Sequence, residues 1–246
     1  MGEVDGSENE MRLKPILFDT EMVRALLEGR KTVTRRVVKP QPVLDGHLWK
    51  LGGAAWRDSV LSVPVMLGHS LYDRAPYQPD DVLWVRETFR VDYLSNIVGS
   101  GRVRYKADGS YADIHFSADR YDMMRRAQRK PGWRPNENMP REVARIFLRV
   151  TDIRAERLRE ITKIEAQQEG QQECTGGIMA CGGSDSCLDC EASYQNALRW
   201  FSSVWDSTIK SADRATCGWE ANPWVWVIAF ERVEKPAKNN LDGENP

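Results

Sequence analysis

The stretch EGRKTVTRR, residues 28–36, puts four cations and two threonines directly behind an apolar helix pattern. Residues 20–28 read as a short helix, with Thr20 placed to cap it and Val23, Leu26 and Leu27 forming its apolar face. Gly29 suits the left-handed position that ends such a helix. A basic turn there is favourable to the helix dipole, and this explains a cation or two. It does not require Lys31 and Thr34 at their spacing, so the loop is a candidate for binding or attacking a ligand.

Outward from this loop the chain reads as strands interrupted by irregular stretches. Residues 40–79 carry five prolines and several glycines and read as loops draped over a core. DDVLWVRETF (80–89) alternates and is rich in β-formers, hence one strand. RVRYKAD (102–108) and YADIHFS (111–117) flank Gly109 and Ser110 and read as a hairpin. ARIFLRVTDIRAERL (144–158) sets Ile146, Leu148 and Val150 on one face of a further strand. NPWVWVIAFERV (222–233) closes the pattern, with Trp224, Trp226, Ile228 and Phe230 on one side. Two helices are expected between these last strands. One starts with a capping box from Thr162 to Glu165, with Ile161 and Ala166 as its hydrophobic staple. The other places Leu198, Phe201, Val204 and Trp205 at helical spacing. The sum is an α+β fold, a small mixed β-barrel with flanking helices and long loop insertions.

Length and composition narrow the class. The chain has 246 residues, 41% hydrophobic and 29% charged, as expected of a globular domain. No apolar run approaches the ~18 residues of a membrane span. The N-terminus is acidic and polar, unlike a signal peptide, so the expected location is cytoplasmic. Residues 1–10 and 234–246 lack apolar residues to bury and are expected to be disordered tails. The body, 11–233, is read as a single domain with insertions at about 40–79 and 171–191. Outside the tails it carries 33 basic and 29 acidic residues, which permits an anionic partner without demanding one.

The combination of GRKTVTRR behind a helix, DDVLWV on a strand and ITKIEAQQEG on a helix resembles the ASCH domains, a PUA-like β-barrel family linked to RNA and nucleoside chemistry. Their loop pattern, Gly-x-Lys-x-x-(Glu or Thr)-x-Arg, is met by Gly29, Lys31, Thr34 and Arg36. The threonine form resembles the small bacterial enzymes that remove the acetyl group from N(4)-acetylcytidine. By motif position their lysine, threonine and glutamate fall on Lys31, Thr34 and Glu169. Segments 14–42, 133–158 and 222–233 are also similar to longer ASCH proteins of tailed bacteriophages, for which the location would be the host cytoplasm. The resemblance implies an amidohydrolase acting on acylated cytidine or a similar modified base, with no cofactor required for catalysis. The alternative is a non-catalytic module binding RNA or DNA through the same basic loop. A host-directed interaction protein is a third class.

Amide hydrolysis needs a nucleophile, a base for its proton and a donor for the oxyanion. A threonine hydroxyl is a poor nucleophile without a neighbouring base. Lysine serves once burial or nearby cations lower its pKa, and Arg30, Arg35 and Arg36 are its sequence neighbours. Glu169 then orients the lysine or carries a proton to the leaving amine. If it pairs with the lysine directly, it raises the lysine pKa. Standing before the helix-ending Gly170, it otherwise reads as a solvated acid. Arg30 and Arg36 are substrate-binding candidates. Glu87 is a second carboxylate candidate, or an outward-facing strand residue. Trp84 either stacks on a base or belongs to the core. DRYDMMRRAQRKPGWRP (119–135) interleaves Arg125 and Arg126 with Trp133. It reads as a single-strand nucleic-acid path or as a solvated helical face followed by a turn at 131–132.

Five cysteines and no export signal favour reduced thiols. Cys174, Cys181, Cys187 and Cys190 fall within seventeen glycine-rich residues and end on Cys-x-x-Cys. Two readings stay open, a structural zinc closed by four thiolates and a loop of free thiols. Cys217 is expected to be buried. His47, His69 and His115 show no ligand spacing.

Overall fold

A computed structural model describes residues 13–65, 67, 69–95, 99–129, 132–172 and 191–236. The elements are β1 (Leu13–Leu17), α1 (Thr20–Leu27), β2 (Val33–Val37), β3 (Val43–Asp45), β4 (Leu48–Leu51), β5 (Ala54–Arg57) and β6 (Ser62–Pro64). Then follow β7 (Val82–Arg86), β8 (Phe89–Ser95), β9 (Ser100–Tyr105), β10 (Tyr111–His115), α2 (Ala118–Gln128), β11 (Phe147–Arg157), α3 (Lys163–Gln168), α4 (Glu191–Thr208) and β12 (Trp224–Val233). The fold is mixed α+β, with several sheets and few helices. Among the described residues no helix is long and apolar enough to cross a membrane.

The main sheet runs β1-β7-β11-β12-β2, with β6 also pairing β11. β1 and β7 are parallel and the remaining pairs antiparallel. Its path is open, ending on β1 and β2, and no closed barrel forms among the described residues. The long pair β11–β12 is the spine. Trp224, Trp226, Ile228 and Phe230 share one core with Ile146, Leu148, Val150 and Ile153, as the alternation required. The opposite face is buried as well: Val225 and Val227 lie against Phe201 and Trp205 of α4. A strand covered on both sides needs an unbroken apolar run, and WVWVIAF is one.

Residues 40–79 depart from expectation. They form β6 and a three-stranded sheet β3-β4-β5 rather than only loops. Leu51, Ala54, Trp56, Val63, Val65 and Leu71 belong to the main core. Trp49 and Trp56 set their rings edge-on against Trp224, at 5.6 and 5.1 Å. Strands of three or four residues between turns at Gly46 and Gly52 are too short for alternation to stand out. Residues 80–89 are likewise not one strand. β7 stops at Arg86, and Phe89 opens the separate sheet β8-β9-β10, which contains the expected hairpin.

The helix before the basic loop is capped by Asp19, whose Oδ1 accepts from Met22 N at 2.8 Å, and not by Thr20, its first residue. Gly29 takes the left-handed conformation (φ +75°), and the N–H groups of Arg30 and Lys31 both donate to Ala25 O. These bonds fold the loop beneath the helix end and fix Lys31 there. The capping box of α3 forms as read, Thr162 with Glu165.

Candidate active site

Gly170 decides how α3 meets the basic loop. It has φ +107°, and a Cβ on it would stand 2.7 Å from the Ala25 Cβ and 3.5 Å from the Lys31 Cβ. Only glycine lets the end of α3 approach this closely. Lys31 and Glu169 then form an antiparallel bridge, and Thr32 N donates to Gln168 O at 2.8 Å. The end of α3 thereby closes the edge of the main sheet beside β2.

The Lys31 side chain is completely buried. Its Nζ donates to Glu169 Oε2 at 2.6 Å, Glu169 O at 3.0 Å and Val33 O at 2.9 Å. An ammonium has three donors, so each is matched. Burial pulls its pKa below the ordinary lysine value, Glu169 opposes this, and Arg36 and Arg35 reinforce it. Direct pairing raises the lysine pKa as expected of it, but desolvation outweighs that rise and the net direction is down. Glu169 is itself buried, unlike the solvated acid that its place before Gly170 suggested.

Alternation along β2 separates the next two cations. Arg35 turns toward α3 and α4, where it reaches Glu156 at 2.7 Å, Glu169 at 3.2 Å and Glu165 at 3.3 Å. Arg154 pairs with Glu156 and Glu165, so three cations and three carboxylates form one internal cluster, with exposed Asp152 at its edge, 3.6 Å from Arg154. Thr34 and Arg36 take the opposite side. Thr34 is buried, and its Oγ1 accepts from Arg36 Nη1 at 3.3 Å. Arg36 also donates to Leu17 O at 2.9 Å and to Arg35 O at 3.2 Å, and lies over the Phe18 ring at 5.4 Å. Lys31 Nζ is 5.5 Å from the centre of the same ring. Phe18 thus joins the lysine to the side that carries Thr34.

Arg36 opens onto a cavity of about 470 Å³ lined by Leu17, Asp19, Met22, Tyr77, Arg86 and Asn136, among others. Tyr77 Oη donates to Pro15 O at 2.9 Å, and Asn136 Nδ2 to Phe18 O at 2.8 Å. Burial lowers the Arg36 pKa and raises that of Tyr77. A second cavity of about 420 Å³ is lined by Trp84, Arg86, Arg120, Met123 and Met139, among others. Arg86 is common to both.

Lys31 and Glu169 are thus in direct contact, and Thr34 adjoins them through Arg36 and Phe18. Arg30 is bound to Glu28 and Gly170 O and lines neither cavity. Glu87 is not the outward-facing strand residue of one reading, and it lines neither cavity. It is buried in a two-pronged pair with Arg145, at 2.7 and 2.9 Å, because the chain turns inward where β7 ends. Burial raises its pKa and Arg145 opposes the rise. Trp84 is half-buried, packing on the small core of Val82, Ala144 and Phe147 while lining the second cavity, so its core reading holds in part. Arg125 and Arg126 are exposed on α2, and Trp133 is 41% exposed beneath Arg90. Cys217 is buried as expected. Cys174, Cys181, Cys187 and Cys190, and the zinc site expected of them, lie outside the described residues.

Comparison with protein-family models, curated proteins and solved structures found no match. Sequence reasoning missed Arg86, Tyr77 and Asn136. Alternation along β7 held a signal for the first, since Leu83 and Val85 point into the core and Arg86 shares the other face with Trp84.

Proposed function

We propose that the chain is an ASCH-type protein with a PUA-like core, and that it hydrolyses the amide of an acylated cytidine or a similar modified base. The observation that carries this reading is a buried lysine–glutamate pair and a buried threonine linked through Arg36 and the Phe18 ring, with Arg36 between that threonine and a cavity of about 470 Å³. The base enters this cavity and Arg36 releases the Thr34 hydroxyl to it. Within the buried pair the Lys31 ammonium passes a proton to Glu169. Thr34 Oγ then adds to the acyl carbon while its proton moves to Lys31 Nζ. The tetrahedral oxyanion collapses with loss of the amine, which takes the proton held by Glu169. Water releases the acyl group from Thr34. Low polarity makes the transfer within the pair accessible, and the depressed Lys31 pKa is in keeping with it.

One observation favours the alternative, a module that binds RNA or DNA without turnover. All three Lys31 donors are matched, and Lys31 with Glu169 belongs to a cluster of ion pairs that also ties α3 to the sheet. Release of cytidine from N(4)-acetylcytidine separates the two. Hydrolysis predicts turnover by the intact protein and a loss of about 10²-fold or more in Lys31→Met, Glu169→Gln and Thr34→Val, each shown to be folded. A folded intact protein without turnover, or a Lys31→Met variant that retains it, supports binding alone.

A further inference from the structure

Arg86 differs from the other arginines near the site. Its Nε is shut off from the surface and has no hydrogen-bond partner among the described residues. No carboxylate among those residues reaches ion-pairing distance of its guanidinium, which lies over the Trp84 ring at 5.5 Å. Arg36, on the wall of the same cavity, donates only to the neutral acceptors Thr34 Oγ1, Leu17 O and Arg35 O. The one acid on that wall, Asp19, already accepts from Met22 N. Two cations without carboxylate partners therefore face a first cavity with one engaged acid; the wall of the second carries Glu137 and Glu142, the latter paired with Arg120.

Half-burying a guanidinium costs free energy unless its donors are met, and a phosphate meets them two at a time. The position of Arg86 adds the geometry, because it stands between two cavities, each large enough for a nucleoside. The Trp84 indole beside it, on the wall of the second cavity, offers a face on which a base can stack.

We infer that Arg86 is a phosphate anchor, supported by Arg36, and that the ligand is a nucleotide rather than a free nucleoside. The reactive nucleoside occupies the cavity beside Arg36, and its phosphate lies on Arg86 at the entrance to the second cavity. This rests on the reading of the first cavity as the nucleoside pocket, but not on the chemistry assigned to Lys31.

Calorimetric titration with ligands that cannot be turned over tests it: cytidine, cytidine 5′-monophosphate and the dinucleotide cytidylyl-cytidine. The intact protein is expected to bind the monophosphate about tenfold or more tighter than cytidine, an advantage that shrinks with added salt. Arg86→Gln is expected to erase that advantage, bringing the ratio of the two affinities to about one. A dinucleotide bound more tightly than the monophosphate assigns the phosphate to a strand, and equal affinities assign it to a free nucleotide. Lys31→Met keeps the phosphate preference, so loss of turnover and loss of the anchor are read separately. Equal affinity for cytidine and its monophosphate, no measurable binding of either phosphate ligand, or a phosphate advantage that survives Arg86→Gln overturns the inference. The comparison within the intact protein does not depend on the folding of any variant.

Discussion

Arg35 and Arg36 are consecutive residues of the same type on β2, and the pleat sends them to opposite sides of the sheet. Arg35 closes an internal cluster in which Lys31 and Arg154 join it against Glu156, Glu165 and Glu169. Arg36 meets only neutral oxygens and faces a cavity. The contrast separates a cation of the basic loop that is held in an internal cluster from one that faces a cavity. Only the first has carboxylates to lose.

The largest effect is therefore expected on the Arg35 side. Arg35→Met leaves Glu156 and Glu169 short of a buried partner and should cost about 3–5 kcal/mol in denaturant unfolding. Arg36→Met removes hydrogen bonds to neutral acceptors and should cost about 1 kcal/mol. Equal losses would erase the distinction. Next comes Gly170→Ala. It strains a left-handed backbone and pushes a methyl group onto Ala25, for an expected loss of about 1–3 kcal/mol, again by unfolding.

A smaller effect separates the cluster by pH. Burial works against ionisation of Glu165, but the Thr162 N–H, Arg35 and Arg154 together hold its carboxyl below the usual carboxylate range. The folded pKa is thus lower than the unfolded one. The stability it contributes is present above the unfolded value, about 4.3, and is lost as pH falls through the folded value. The stability gap between the intact protein and Glu165→Gln should accordingly narrow as pH drops from about 6 to about 3. A gap independent of pH would contradict that assignment. The smallest effect is expected at Arg126, exposed on α2 and part of neither cavity lining, where Arg126→Ala should change stability by less than about 0.5 kcal/mol and leave cytidine monophosphate binding intact.

Much of this frame was legible in the chain. β12 and β11 announce themselves by length and alternation, and the capping box of α3 by Thr162 and Glu165. The resemblance built on the loop pattern around Lys31 points to Glu169, and the fold does bring the two together. What was not legible depends on long-range packing. Glu169 looks solvated until Gly170 allows α3 to close on α1. Glu87 looks like a site or surface carboxylate until Arg145, 58 positions away, covers it. The meander at 43–57 is built of strands too short to show a period, and its tryptophans are placed by Trp224 rather than by their neighbours. Arg86 gains its meaning from two cavities that no local pattern encodes.

The central claim is that Thr34 attacks an acyl group with Lys31 and Glu169 managing its proton. The most direct measurement is the mass of the protein quenched during turnover of N(4)-acetylcytidine. One added acetyl group should be found, mapped to Thr34 and absent from Thr34→Val. Deacetylation with no such adduct, at a rate undiminished in Thr34→Val, would contradict the account.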